Sequence, residues 1–536
     1  MERSPRRLLL ALLGVVVFAN VTILPAASNQ LMREEPVAGA SQALLILKSD
    51  NFSDTEATIT SLETVGAHAC HVIPPRVIIA TVPTAAEGRV RALANLAQFH
   101  RDTVMTGQDA TDADIVTGVN AWNSLLAPQL NVSEKELTPL VGDAFEPPVP
   151  LHNKQMAEML TAQSASPDYY QTSEFMIGKV GVGVILPESI GGTENWSTAR
   201  QNEVFNQIVS GLNWWVTKGG DIAHLTFYYE KQFSVPTQYE PINRNGQDDE
   251  DIWVTDIFQN MGYTSGSRFT RAWAYVNDLR QRLHTDWAYT FIVVDSLNDP
   301  DGIFANGTYF AWTYYGGPYV VMNYDNDGYG ISQMHLVASH ETGHVFLAKD
   351  EYCQPGYFCC DYSPCGYLHI PNGNCESANP SSVPCMMRWV EDSVCQYTRD
   401  QVGWRDSDGD GKADPIDNVI TNTMDQHITP AFETMLTFTG ATQDIPYVPP
   451  VRTAVTINKI TTVKFRIDGG AWADGSAVDG AFDSDIENYT FTTPPLEVGT
   501  HHIESQAYSS SGNTSAILEQ DVDVQAVYTV TITASA

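Results

Sequence analysis

The rhythm of apolar and polar positions changes several times along the chain, and each change predicts an element. Residues 43–47 are an unbroken apolar run with polar flanks, which suits a buried strand. Residues 54–62 are mixed and predict a helix capped by Ser53 or Asp54. Residues 67–72 and 77–82 predict two strands around Pro74-Pro75, and 85–97 a second helix. Residues 107–170 are weakly patterned and carry Glu146-Pro147-Pro148-Val149-Pro150, so they read as a linker with some helix. Beyond Thr172, strand and helix patterns alternate. Residues 176–186 predict a strand and 196–217 a helix with Val204, Ile208, Leu212 and Trp215 on one face. Gly219-Gly220 stops that helix, 224–233 is a strand, and two helices follow, through Ile257 and over 269–283. Residues 289–295 and 310–323 are strand-like, the second broken by Gly316-Gly317. Residues 331–348 are apolar nearly all round, which predicts a helix of about 27 Å buried between two layers. Past Pro449-Pro450 the pattern is short strands with turns, over 455–457, 462–467, 489–493, 501–508 and 528–533.

Composition narrows the function classes. A length of 536 residues allows about three or four domains, and 43% apolar residues suffice for real cores. With 29 basic against 64 acidic residues the formal charge is −35, which argues against nucleic acid and against anionic membrane surfaces as partners. Arg3, Arg6 and Arg7, the apolar residues 8–18 and the small residues Ala26-Ala27-Ser28 form a signal-peptide pattern over 1–28; an uncleaved anchor is the alternative. No later stretch is apolar enough to span a bilayer, so no stable span is expected after cleavage. Cys353, Cys359, Cys360, Cys365, Cys375, Cys385 and Cys395 crowd into one stretch, with Cys70 far upstream. In an exported chain they are disulfide candidates of undetermined connectivity, and the odd count leaves one to pair with Cys70, pair with another chain or stay free.

Two motifs carry metal chemistry. His340-Glu341-Thr342-Gly343-His344 falls inside the all-apolar helix, where positions i and i+4 share a face, so both imidazoles can bind one Zn²⁺. Such an ion lowers the pKa of a bound water from 15.7 to about 7, and Glu341 is placed as its general base. A peptidase zinc needs a third protein ligand. Asp350 lies six residues past His344; Glu351, or a more distant Glu376 or Glu391, are the alternatives. A thiolate from Cys70 could in principle occupy the fourth position. Gly343 costs about 1 kcal/mol in a helix interior, which a closely packed backbone would explain. The second motif runs from Asp406 to Asp417. Asp406, Asp408, Asp410, Asp414 and Asp417 fall at positions 1, 3, 5, 9 and 12 of a calcium loop, with Gly411 at 6 and the Lys412 carbonyl at 7.

These motifs in this order resemble the zincin metallopeptidases, particularly metzincins, over about residues 172–405. The resemblance implies an α/β (α+β) catalytic domain over 171–405 with a mixed sheet, an active-site helix and a Cys-rich insert over 353–395. It also implies an edge strand on which an extended peptide substrate pairs, and a Met-containing turn below the metal, for which Met386 and Met387 are candidates. Asp350 stands where the extended metzincin pattern has its last His, and Leu347 where it has Gly; the usual Tyr after the Met is missing, leaving Tyr352 and Tyr397 as oxyanion candidates. Residues 40–106 resemble the small ferredoxin-like α+β pro-segments of secreted peptidases, the 406–417 loop resembles dockerin or thrombospondin type 3 calcium loops, and 450–536 resembles a bacterial Ig-like β-sandwich. The expected function is a secreted zinc endopeptidase acting on protein or peptide substrates, with Zn²⁺ catalytic and Ca²⁺ structural. The alternatives are a calcium-braced extracellular binding or adhesion protein with a degenerate peptidase fold, and a zinc hydrolase of a non-peptide substrate.

Overall fold

Each early apolar run becomes a strand whose alternate side chains face opposite layers. In the computed structural model the first elements are β1 (Ala40–Leu47), α1 (Phe52–Thr64), β2 (His68–Ile73), β3 (Val77–Pro83), α2 (Glu87–Arg91) and β4 (Leu96–His100). The structure describes residues 40–105, 112–127, 142–145, 165–299, 301–305, 307, 309–327, 329–354, 358–379, 383–389 and 392–527. The expected signal peptide, most of the expected linker and the last expected strand lie outside these. The cap of α1 is Asn51, two residues before Ser53 and three before Asp54, and its side chain accepts from the Ser53 N–H. The second helix is only five residues long. The helix expected over 85–97 stops early, and its last residues join β4 (Leu96–His100), which pairs with β1, whose outer main-chain groups need partners.

The next elements are α3 (Ala113–Leu126), β5 (Gly142–Phe145), β6 (Lys179–Ser189), α4 (Thr198–Ala223), β7 (Thr226–Thr237), α5 (Glu250–Asn260), α6 (Arg268–Arg282), β8 (Trp287–Val294), β9 (Ala311–Tyr314), β10 (Tyr319–Asn323) and α7 (Met334–Val345). Ten strands form one mixed sheet in the order β4-β1-β3-β2-β7-β6-β8-β10-β9-β5. The N-terminal four pair antiparallel, and β2 joins the rest by parallel pairing of His71 and Val72 with Phe227 and Tyr228 of β7. The region expected as a separate pro-segment is therefore one end of the main sheet. Side-chain bonds reinforce the seam: His71 reaches the Tyr229 hydroxyl at 2.9 Å and Asn213 at 3.0 Å, and Thr226 donates to the Ala69 carbonyl at 2.7 Å.

The sheet is covered on both faces. Leu44, Ile46, Val182 and Val184 point to the layer that contains α3, α4 and α7, with Trp122, Trp215 and Val337 at its centre. Ala43, Leu45, Leu47 and Ile185 point to the layer of α1, α5 and α6, around Trp253, Trp273 and Tyr275. α3 lies in the expected linker; burial of Val119 and Trp122 against the sheet holds it there. α4 runs past Gly219-Gly220 with a break at Gly220 and ends at His224. The helix expected over 331–348 is a 3₁₀ turn at Ile331–Gln333 followed by α7, a rod of about 18 Å.

Beyond the calcium motif two four-stranded antiparallel sheets enclose Phe438, Phe465, Tyr489, Phe491 and Ile503. Two of their strands, Val419–Met424 and Thr437–Ile445, precede Pro449-Pro450, so the all-β region starts earlier than expected. Residues 455–457 are not a strand: the Val455 N–H donates to the Tyr367 hydroxyl and ties this segment to the large sheet's domain. Disulfides join Cys353 to Cys359 and Cys360 to Cys375, while Cys70, Cys365, Cys385 and Cys395 are thiols. Among the described residues no helix is long and apolar enough to cross a membrane.

Candidate metal centre

α7 is buried on every side because it crosses α4 closely while lying under the sheet. One glycine permits this approach and a second lets Met387 close on α7. A Cβ on Gly211 of α4 would lie 2.6 Å from the His335 carbonyl, and one on Gly343 would lie 2.6 Å from the Met387 sulfur. The Trp215 indole donates to the Ser339 carbonyl at 2.8 Å and fixes the rotation of α7.

That rotation brings His340 and His344 together, and the end of the helix returns Asp350 to them. Leu347 takes a left-handed conformation, φ 72°. The Leu347 N–H bonds to the His344 carbonyl and the Ala348 N–H to the Gly343 carbonyl, both at 2.9 Å, the paired pattern of a Schellman turn. The chain thus turns here as a glycine would turn it, with a buried leucine in that place. His340 Nε2 lies 3.1 Å from His344 Nε2, and Asp350 Oδ1 lies 3.0 Å from the first and 3.3 Å from the second. All three residues are buried.

Proton placement leaves the triad able to hold a cation. His340 Nδ1 is 3.1 Å from the Met386 carbonyl and His344 Nδ1 is 2.8 Å from the Ala348 carbonyl. A carbonyl only accepts, so both Nδ1 atoms carry hydrogen and both Nε2 lone pairs face inward. Two lone pairs and a carboxylate oxygen converge with separations of 3.0–3.3 Å. Ligand distances of about 2.0–2.2 Å in a zinc tetrahedron give edges of about 3.3 Å, so the residues fit that ion. Without a metal a proton must fill the role. Burial works against a charged His344, yet Asp350 overrides it and holds the imidazole up at about 9. Burial would raise Asp350 too, but His344 and His340 hold it down at about 2.

Glu341 is fully buried beside this triad. Its Oε2 accepts from the Thr313 hydroxyl at 2.5 Å, while Oε1 has no hydrogen-bond partner among the described residues. Burial raises its pKa above the usual carboxylate value, against the pull of His344 and His340. Thr313 is on β9, where alternation sends Thr313 towards α7 and its neighbours the other way: the Trp312 indole and Tyr314 hydroxyl donate to buried Glu250 at 2.9 and 2.5 Å. Nothing in the sequence singled out Thr313. Tyr315 was missed as well; its ring centroid is 5.6 Å from that of His344, and its place directly before Gly316-Gly317 was the available signal.

The remaining expected residues fall as follows. Met386 supplies the carbonyl for His340, and Met387 packs its sulfur on Gly343, so both lie under the triad. Glu351 turns away: it accepts from Asn374 at 2.6 Å, from the Cys395 thiol at 2.9 Å and from Thr398 at 3.0 Å. Glu351, Cys385 and Cys395 form a second buried group with close ligand atoms. Glu376 accepts from the Cys353 N–H and from Arg388. Glu391 lies outside the described residues. Cys70 is buried in β2 with its thiol at Thr81, five strands from β9, so it is not brought to the triad. Tyr352 is buried with its ring 6.3 Å from that of His340, and Tyr397 is on the surface.

The Asp406–Asp417 loop is internally bonded. Asp406 accepts from the N–H groups of Gly409 and Gly411, Asp408 from that of Asp410, and Asp410 from that of Lys412. Asp414 accepts from Arg405 and from the Ser407 N–H. The Lys412 ammonium is 3.3 Å from Asp410, 3.8 Å from Asp417 and 2.8 Å from Asn513 of the β-sandwich region.

No family model and no curated protein matches the chain. Solved structures match over parts of it. The sulfane dehydrogenase SoxCD of Paracoccus pantotrophus is 13% identical over 18% of this chain, which spans 23% of that chain, with a TM-score of 0.14. The fibronectin(III)-like modules of Clostridium thermocellum CbhA are 15% identical over 20% of this chain and 100% of theirs, TM-score 0.14. The PKD domain of an M14-like peptidase from Thermoplasmatales archaeon SCGC AB-540-F20 is 17% identical over 20% of this chain and 93% of its own, TM-score 0.14. Likenesses this slight bear on neither fold nor activity.

Proposed function

We propose that this chain is a secreted zinc endopeptidase with a zincin-like catalytic domain, metzincin-like in its site, followed by a structural calcium loop and an Ig-like sandwich. The observation that carries the reading is the convergence of His340, His344 and Asp350 at 3.0–3.3 Å next to a carboxylate, Glu341, that has one oxygen without a partner. Zn²⁺, when bound, would supply a Lewis acid for water and for the scissile carbonyl. The chain's own residues do the rest. The Met386 and Ala348 carbonyls hold the two imidazoles in the tautomer that offers Nε2. Thr313 anchors Glu341 by Oε2, which leaves Oε1 to take a proton from the attacking water and hand it to the leaving amine. Burial and the raised pKa of Glu341 suit a group that must hold that proton between steps.

The test is zinc content together with hydrolysis of an unfolded protein substrate. Wild type should bind one equivalent of zinc at this centre and cut; Glu341→Gln should keep the zinc and lose the cutting. A chain that binds zinc and leaves protein intact, after any needed processing, would overturn the peptidase reading. The adhesion alternative needs no partnerless base at Oε1, and the non-peptide alternative is tested by the same substrate.

A further inference from the structure

We infer that Cys385 and Cys395, thiols in this structure, are partners in a further disulfide of this chain, and that the bond fixes the segments supporting His340 and Asp350. The bond stands on its own geometry; its consequence rests on the zinc reading. The two sulfurs meet in one buried place. Cys385 Sγ accepts from the Cys395 N–H at 3.3 Å, and the two sulfurs lie 3.3 and 3.6 Å from the Thr398 hydroxyl. They are within 4.8 Å of each other. A sulfur therefore has to move by less than about 3 Å to reach a bond length of about 2 Å, one step between staggered rotamers. The backbone holds the two sides together, because the Met386 N–H donates to the Ser393 carbonyl at 2.8 Å. The same stretch already carries the Cys353–Cys359 and Cys360–Cys375 disulfides, which belong to an oxidising compartment.

The bond forms by exchange with an external small-molecule disulfide. The Cys395 thiolate attacks one sulfur of that reagent and releases one thiol; the Cys385 thiolate then attacks Cys395 in the mixed disulfide and releases the second. Two cysteine thiols are oxidised, one reagent disulfide is reduced, and the two released thiols take up the two protons. Both cysteines are buried in the folded chain, so the exchange belongs to folding, before this loop closes. Oxidation removes the hydrogen that Glu351 accepts from Cys395. Asn374 still donates to Glu351 Oε2 at 2.6 Å and Thr398 to Oε1 at 3.0 Å, so each carboxylate oxygen keeps a partner. What the bond joins is the support of the triad. On the Cys385 side, the Met386 carbonyl accepts from His340, and the Met387 carbonyl accepts at 2.8 Å from the N–H of Glu351, directly after Asp350. On the Cys395 side, Thr398 holds the Glu351 side chain, and Gln401 accepts at 3.1 Å from the N–H of Lys349, directly before Asp350. Asp350 is thus held between two segments that one covalent link fixes to each other.

The experiment uses the full chain carrying Glu341→Gln, folded in glutathione and glutathione disulfide. It is alkylated with N-ethylmaleimide in denaturant without reduction and then cut with trypsin. Trypsin cuts after Arg388, between the two cysteines, and yields residues 389–399, whose one cysteine is Cys395. This peptide should stay linked to 350–388 and carry no maleimide, with fragmentation placing the link at Cys385. In Cys385→Ser it should be released and alkylated. Alkylated Cys395 in the parent, or a link to any other cysteine, overturns the inference. Both thiols alkylated together with two equivalents of bound zinc would make them, with Glu351, a second metal site, and that overturns it too. The consequence is read by competition with a chelator: Cys385→Ser with Cys395→Ser should bind zinc about tenfold more weakly than the linked parent. Unchanged affinity overturns the supporting role of the bond. If that double variant does not melt like the parent, Cys385→Ala with Cys395→Ser is read by the same competition. Neither readout needs hydrolysis. A chain that carries the bond and cuts nothing defeats the peptidase reading alone, and a wild-type chain that cuts with Cys395 alkylated defeats this inference alone.

Discussion

The His340–His344–Asp350 centre and the Asp406–Asp417 loop were both legible as metal motifs, and the structure treats them oppositely. In the first, two imidazole nitrogens and a carboxylate oxygen face one another inside the protein, and the adjoining Glu341 Oε1 has no partner among the described residues. In the second, every carboxylate but the buried Asp414 is exposed or half-buried, and backbone N–H groups, Arg405 and Lys412 already answer them. Ligand spacing tells which residues can meet. Whether an ion is needed depends on what else meets them, and a buried polar group without a partner is costly while a solvated one is not. If the two sites hold zinc and calcium as proposed, the centre should depend strongly on its metal and the loop weakly.

The largest expected effects are at the centre. Asp350→Ala should weaken zinc binding by more than about a hundredfold, the upper range for loss of a mere supporting residue, as measured by competition with a chelator. Retained affinity would break the contrast at its root. Glu341→Gln should lower the turnover of an unfolded protein by about 10²–10⁴ and leave zinc affinity within a few fold.

Acid and base sharpen the comparison by sign. In the metal-free chain His344 holds a proton up to about pH 9, above its unfolded value near 6.5. The His344–Asp350 pair therefore stabilises the metal-free fold fully below about pH 6.5 and loses that contribution as pH rises through 9, on the order of 3 kcal/mol. Zinc must displace the same proton, so its affinity should rise about tenfold per unit over this range and flatten above 9. Thermal unfolding from pH 6.5 to 9 should fall with pH in the presence of a chelator and stay nearly flat with zinc bound, because the gain in zinc affinity cancels the loss of the pair. Parallel slopes would mean that His344 and Asp350 are not coupled.

How much could be read beforehand follows from the same physics. The α7 motif was legible because five residues at helical spacing fix their own geometry. The gap at Gly343 was legible as a close approach, and Met387 fills it. Leu347 was flagged only as a missing glycine; that the chain takes φ 72° there regardless depends on Asp350 being drawn back to the imidazoles. The fusion of β2 to β7 could not be read, because an apolar run buried on two faces looks the same in a small separate sheet as at the end of a large one. Thr313 escaped for a related reason: a threonine in a strand has no signature until the helix across from it is placed. The end of the helix expected over 85–97 shows the opposite failure, where helical spacing lost to the unmet hydrogen bonds of β1.

A smaller effect is expected at Leu347. Leu347→Gly relieves a left-handed cost of about 1–2 kcal/mol but removes a buried side chain worth about 2–5 kcal/mol. The net loss should be about 2 kcal/mol, read by denaturant unfolding of the zinc-loaded chain. An increase in stability would show that the turn, rather than the leucine's packing, governs this end of α7.

The smallest effect belongs to the loop, and Lys412 makes it decisive. Its ammonium lies 3.3 Å from Asp410 and 3.8 Å from Asp417, two of the carboxylates that calcium would use. It is anchored on Asn513 at 2.8 Å, so the loop is already tied to the sandwich region by a cation of its own. Calcium therefore has to dislodge a neighbour that already offsets part of the charge, whereas zinc at the other centre displaces only a proton. Lys412→Gln removes the competitor and leaves the position-7 carbonyl in place, and it should raise calcium affinity by about three- to tenfold in a calorimetric titration, in line with the weight of one partly exposed charge. In the unaltered chain a calcium-selective chelator should then lower the unfolding temperature by no more than a few degrees and leave hydrolysis unchanged. A fall as large as that caused by zinc removal would show that calcium, and not Lys412, holds the loop to the sandwich, and the two centres would then differ in exposure but not in need.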